Sequence, residues 1–190
     1  MTLRPRVSVS LLSLVLLVSL PAANAGAQNV IDAKAASHLR TQYLADLDTV
    51  HVKIVALAKA IPEGKYSWRP APGVRSISEV LMHVAGEWYF YVPRSVAKDP
   101  PKDFGTPKDK LAALEKITTK RQVLAELDKS WAHSKAQLLA ADPATLTGRY
   151  KPWDMYFSAA LLGMSGDLHE HLGQLVAYAR SNGVKPPWSK

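Results

Sequence analysis

The 190-residue chain contains no cysteine. That absence excludes disulfides, thiolate metal ligands, a cysteine nucleophile and a lipidated N-terminal cysteine. It also has no run of basic residues: the formal net charge of +8 is spread along the chain and leaves no nucleic-acid footprint. Only one long apolar stretch occurs, near the start, and no segment shows strand alternation or a repeating period. Disulfide scaffolds, multi-span membrane proteins, sheet folds and solenoids are therefore set aside.

The apolar stretch reads as a secretory signal. Met1 to Arg6 carries two arginines, Val7 to Leu20 is apolar apart from four serines, and Ala23 and Ala25 supply a small-residue cleavage pattern. Residues 1–25 are expected to be removed, giving an exported protein, periplasmic or secreted, with no stable membrane insertion afterwards. Residues 26–190 form one domain of about 165 residues, enough to bury a core without cross-links. Only Arg4 and Arg6 leave with the signal, so the remainder carries +6.

The mature chain reads as helical. Leu39, Tyr43, Leu47, Val50, Ile54 and Leu57 recur every three or four residues, predicting a helix from about Ile31 to Ala60 that Pro62 and Gly64 end. A proline-containing loop leads to Ser76, which with Glu79 three residues on forms a capping box for a second helix, left near Pro93. Lys98 to Lys110 reads as a connecting loop. A third helix is expected from about Thr118 to Ala141, stopped by Asp142-Pro143. The connection 144–156, carrying Tyr150, Trp153 and Tyr156, is expected to fold over one end as a lid. A fourth helix runs from about Ser158 to Asn182, with Gly183 as its cap.

Two polar pairs interrupt these apolar faces. His83 and Glu87 lie four apart on the second helix, Asp167 and His171 four apart on the fourth, and residues four apart share a helix face. Two facing helices could aim both pairs into one cavity and hold a divalent ion. The plainer alternative for His83 is a core histidine bonded to a tyrosine or carbonyl, and for Asp167 a surface carboxylate. Glu87 is open to three roles: ligand, general base or salt-bridge partner. His169 and His171 stand roughly 200° apart around the helix, so only one can face the cavity, and the choice falls on His171 with Gln174 on its face.

His83 on the second helix, then His171-Leu-Gly-Gln174, Tyr178-Ala-Arg180 and Gly183 on the last, resemble the DinB/YfiT-like superfamily. Tyr66 to Ser76 is similar to the loop before the second helix in exported members. The resemblance implies an all-α four-helix bundle, up-down-down-up or a related topology with long loops. It also implies a divalent metal, commonly zinc or nickel, held by one histidine from the second helix and an H-x-x-x-H pair from the last. His83 and His171 match two of the three ligands. Asp167 stands where the third histidine belongs, which admits manganese or iron as well as zinc and equally admits a vestigial site.

The expected metal ligands are thus His83, Asp167 and His171, with Glu87 as the proton-moving group. Trp68, Trp153, Tyr156 and Gln174 are candidates for the walls of a substrate pocket. Two readings remain: a metal-dependent envelope transferase or hydrolase acting on a small molecule, with thiol transfer and maleylpyruvate isomerisation as precedents among relatives, or a non-catalytic stress-response bundle. A homodimer is implied by likeness alone, and a nucleic-acid partner is not expected.

Overall fold

The structure, a computed structural model, describes residues 31–189, so the expected signal segment lies outside the described residues. Helix α1 (Ala33–Ala60) starts where the Asp32 carboxylate accepts the Ala35 amide and ends at Ile61, ahead of Pro62, which disfavours helical backbone before it. Its apolar stripe, Tyr43, Leu47, Val50, Ile54 and Leu57, is buried. The following loop folds back on the helix, and the buried Tyr66 hydroxyl donates to the Ala58 carbonyl at 2.8 Å.

Helix α2 (Ile77–Tyr89) opens with the expected capping box: Ser76 Oγ accepts the Glu79 amide and Glu79 accepts the Ser76 amide. Of its 13 residues 11 are buried, so every face meets protein. After a break at Phe90, one further turn, α3 (Tyr91–Arg94), brings Ser95 to the Tyr43 hydroxyl, 3.1 Å away.

The segment expected as loop from Lys98 to Lys110 needs correction, because a helix, α4 (Pro107–Leu114), begins inside it. Thr106 caps it, Pro107 occupies the first position and Asp109 the first turn, a complete start signal that overrides the high charge. Helix α4 seats on α2 at Gly86, where a Cβ would meet Leu111 Cδ2 at 2.0 Å. The Leu111 methyl occupies the space that a side chain at position 86 would take.

Helix α5 (Lys120–Leu139) follows. Between it and the last helix, Arg149–Tyr150 and Met155–Tyr156 pair as a small antiparallel hairpin, β1 and β2, turned through Asp154 at φ 48°. Two-residue strands are too short to show alternation in a sequence. Helix α6 (Phe157–Ser181) ends before Gly183, whose φ of 73° lies in the left-handed region.

Helices α1, α2, α5 and α6 form the bundle, with α5 and α6 each packed on both α1 and α2. Cross-contacts set the directions. Lys120 at the start of α5 donates to Ile61 O, while Arg40 near the start of α1 donates to Ala141 O beyond the end of α5, so α1 and α5 are antiparallel. Tyr43 meets Ser95 beyond α2, so α2 also opposes α1. Ser165 and His169 of α6 meet Asp46, and Trp68 past the end of α1 meets Tyr178, so α6 runs with α1. The bundle is up-down-down-up, as the resemblance implies. Its centre is aromatic: His51 of α1 stacks on Trp131 of α5 at 5.0 Å and meets the edge of the fully buried Trp88 at 5.2 Å.

Candidate metal centre

The antiparallel pair α2 and α6 brings three donor groups together. His83 and Glu87 sit one turn apart on α2, and His171 enters from α6. Glu87 Oε1 stands 3.1 Å from His83 Nε2 and 3.3 Å from His171 Nε2. The two imidazole centroids are 4.9 Å apart, nearly perpendicular. One donor atom from each residue lies within 4.8 Å of the others, a group that could hold a metal ion.

The His171 ring is oriented from its far side. Its Nδ1 is 3.2 Å from Gln174 Oε1, and the Gln174 amide in turn donates to the Tyr178 hydroxyl at 3.0 Å. With its oxygen toward the ring, Gln174 accepts the Nδ1 proton, so Nε2 is the atom that faces Glu87: it donates to the carboxylate while protonated and offers its lone pair to an ion once that proton is released. Tyr178 is itself held edge-on by Trp68 at 5.3 Å. Of the expected pocket residues, Trp68 and Gln174 therefore connect to the site. Trp153 and Tyr156 belong to the hairpin at the start of α6, where Trp153 meets Tyr91 and Tyr150 and Arg149 lies over Tyr156.

Asp167 and Glu87, alike as i, i+4 partners of a histidine, occupy different surroundings. The Glu87 side chain is 4% exposed and central. Asp167 is 43% exposed at the rim, with its Oδ1 4.0 Å from His171 Nε2. Burial opposes ionisation of Glu87, but His171, His83 and Asp167 all approach it, and together they hold its carboxyl down to about 2. Burial and the neighbouring Glu87 carboxylate push Asp167 the other way, up to about 6. The contact with Glu87 raises His171 above the ordinary imidazole value, although burial works against it.

A divalent ion suits these groups. Ligand atoms around a tetrahedral ion bonded at about 2.0–2.2 Å stand about 3.3–3.6 Å apart, beside the observed 3.1 and 3.3 Å. Two imidazole nitrogens and a carboxylate oxygen are a borderline-metal donor set. Glu87 Oε2 is buried with no hydrogen-bond partner, which an ionised carboxylate tolerates poorly unless a cation compensates it. His169, by contrast, turns away from the cluster, its Nε2 2.9 Å from Asp46 Oδ1 on α1.

The model of the DinB superfamily matches residues 46–175, a span that includes His83, Glu87, Asp167 and His171. The chain belongs to the DinB superfamily. No curated protein and no solved structure matches it. Against the three-histidine set that the resemblance implies, this chain has Asp167 in place of the third histidine and a buried Glu87 beside His83 and His171. Glu115, just past α4, was not apparent from the sequence, yet its Oε1 lies 3.9 Å from His83 Nδ1. No local signal announces it, since it reaches the site only because α4 docks on Gly86.

Proposed function

We propose that the protein is an exported divalent-metal-dependent enzyme of the DinB superfamily, acting on a small molecule by group transfer or hydrolysis. One observation carries the reading. A buried carboxylate oxygen faces the Nε2 atoms of two imidazoles, one of which has its proton-bearing nitrogen turned outward by Gln174. Three donor atoms converging in a buried space favour a positive charge among them, supplied by the proton on His171 in the metal-free protein and by the ion once it binds.

His83, Glu87 and His171 would hold the ion, with zinc first among the candidates and nickel, manganese and iron behind it. Bound there, a divalent ion would polarise a substrate oxygen or lower the pKa of a water or thiol at its open position. The chain's own groups divide the remaining work. Glu87, ionised throughout the physiological range, is better suited to hold a cation than to move a proton. Asp167, half-exposed and near neutrality in proton affinity, is better suited to take up and return one, so the roles expected from sequence for these two carboxylates exchange. Gln174 and Tyr178 keep His171 in register. Export is supported by the charged, apolar and small-residue succession of the first 25 residues. Among the described residues no helix is long and apolar enough to cross a membrane.

The test is elemental analysis of protein purified without chelator, beside His83→Ala, His171→Ala and His169→Ala. One equivalent of metal in the wild type and in His169→Ala, lost from the other two, supports the proposal. Metal-free wild-type protein that takes up none of the four ions on titration overturns it and leaves a non-catalytic bundle.

A further inference from the structure

His83 Nδ1 is buried and has no hydrogen-bond partner. If Nε2 is the nitrogen that faces Glu87 and an ion, the ring proton must reside on Nδ1, which then becomes a donor without an acceptor. Bound metal draws electron density from the ring and makes that N–H a stronger donor. Such imidazoles nearly always have an acceptor on the far side. The His171 ring has Gln174 in this place; the His83 ring has nothing within bonding distance among the described residues.

Glu115 Oε1 lies 3.9 Å from this nitrogen, and its side chain is 32% exposed. The same oxygen accepts from Arg75 Nε at 2.9 Å, an ion pair at the edge of the site. Glu115 follows the last residue of α4, whose Leu111 and Leu114 pack at Gly86, one position before Glu87. Arg75 comes from the loop before α2, which also supplies Trp68 behind Tyr178 and Gln174. The outward sides of both histidines therefore lead back to one loop.

We propose that Glu115 is the positioning residue for His83, accepting its Nδ1 proton when a divalent ion is bound, with Arg75 holding Glu115 in place. This rests on the metal reading above. The gap to close is the difference between 3.9 Å and a hydrogen bond of about 3 Å. The arrangement also assigns a purpose to α4, a helix that contributes no donor of its own to the centre.

The experiment measures zinc affinity by competition with a chromogenic chelator for wild type, Glu115→Ala, Glu115→Gln and Arg75→Met. It also records the proton spectrum of the cobalt-loaded forms, where a ring N–H beside the ion gives a shifted, exchangeable resonance. Loss of an outer partner of this kind weakens metal binding about 10- to 100-fold. Glu115→Ala is expected in that range, Glu115→Gln closer to wild type because its amide oxygen still accepts, and Arg75→Met in between. In Glu115→Ala the resonance assigned to His83 should exchange with solvent faster while that of His171 is unchanged, a difference that a general loss of packing would not produce. Should Glu115→Ala fold poorly, Glu115→Gln and Arg75→Met carry the comparison. Wild-type affinity and exchange in all three variants would overturn the assignment of Glu115 and leave the metal centre standing, whereas wild-type protein that binds no metal would overturn both.

Discussion

Replacing Glu87 by glutamine in the metal-free protein keeps the shape of the side chain and removes its charge. The Glu87 carboxyl falls from 4.5 to about 2 in the folded protein. At about 1.4 kcal/mol per tenfold change in proton affinity, the ionised form contributes about 3 kcal/mol of stability. The sign is set by linkage. A depressed carboxyl stabilises above its unfolded value, so this contribution is complete above pH 4.5 and is lost as the pH falls toward 2. His171 behaves in the opposite way. Its folded value is raised, so its share is complete below 6.5 and fades as the pH rises through the folded value. The wild-type advantage over Glu87→Gln should thus be greatest between 4.5 and 6.5 and shrink on both sides. For a domain of this size about 3 kcal/mol corresponds to about 6–12 °C in Tm. Thermal melts followed by circular dichroism, in chelator, from about pH 3 to about pH 8 would measure it. A difference that stays constant over that range, or a variant as stable as wild type near pH 5.5, would refute the reasoning.

Three other perturbations probe separate parts of the molecule. Zinc at about 100 times its Kd should stabilise the fold by about 2.7 kcal/mol, and differential scanning fluorimetry should show the shift growing from about pH 6 to about pH 8, because His171 must first release a proton it holds unusually well. Burial opposes ionisation of Asp46, but the hydroxyl of Ser165 at 2.5 Å and the ring of His169 together outweigh it and hold the carboxyl low. Asp46→Asn should cost about 1 kcal/mol in urea unfolding near neutrality and nothing once the pH has fallen below the folded value, since that contribution is complete only above the unfolded 3.8. Gly183→Ala, at φ 73°, should lower stability by about 1 kcal/mol without affecting metal uptake, measured by the same unfolding titration.

How far the molecule was legible in its sequence differs from element to element. The long helices are readable because Tyr43, Leu47, Val50 and Ile54 repeat at helical spacing, and because Ser76 with Glu79 marks a start that needs no tertiary context. Helix α4 is harder: Leu111 and Leu114 are what it sets against α2 at Gly86, and the lysines around them read as loop. Thr106-Pro107-Lys108-Asp109 was the signal available. At the site, the angle between His169 and His171 was enough to separate them, and the structure turns one to Asp46 and the other to Glu87. What spacing could not supply was the difference between Glu87 and Asp167. Both lie one turn from a histidine, and only the neighbours of their helices distinguish them.

That difference arises from the packing of α2. A helix buried on 11 of its 13 positions leaves a carboxylate no route to solvent, so Glu87 is compensated from within the protein, by His83 one turn away and by a group on another helix. The second is His171 of α6, the helix that runs antiparallel to α2, with Asp167 one turn away on the same face at the rim. The side toward α4 is closed at Gly86, and the first polar group beyond that closure is Glu115. A small residue at position 86 and an acid at position 87 are consequently one arrangement: the first admits the helix that shuts water out, and the second is the charge whose isolation makes a bound cation favourable. Enlarging residue 86, as in Gly86→Val, would push α4 outward and let water reach Glu87. Zinc titration of that variant should then show weaker binding even with all three donor residues intact.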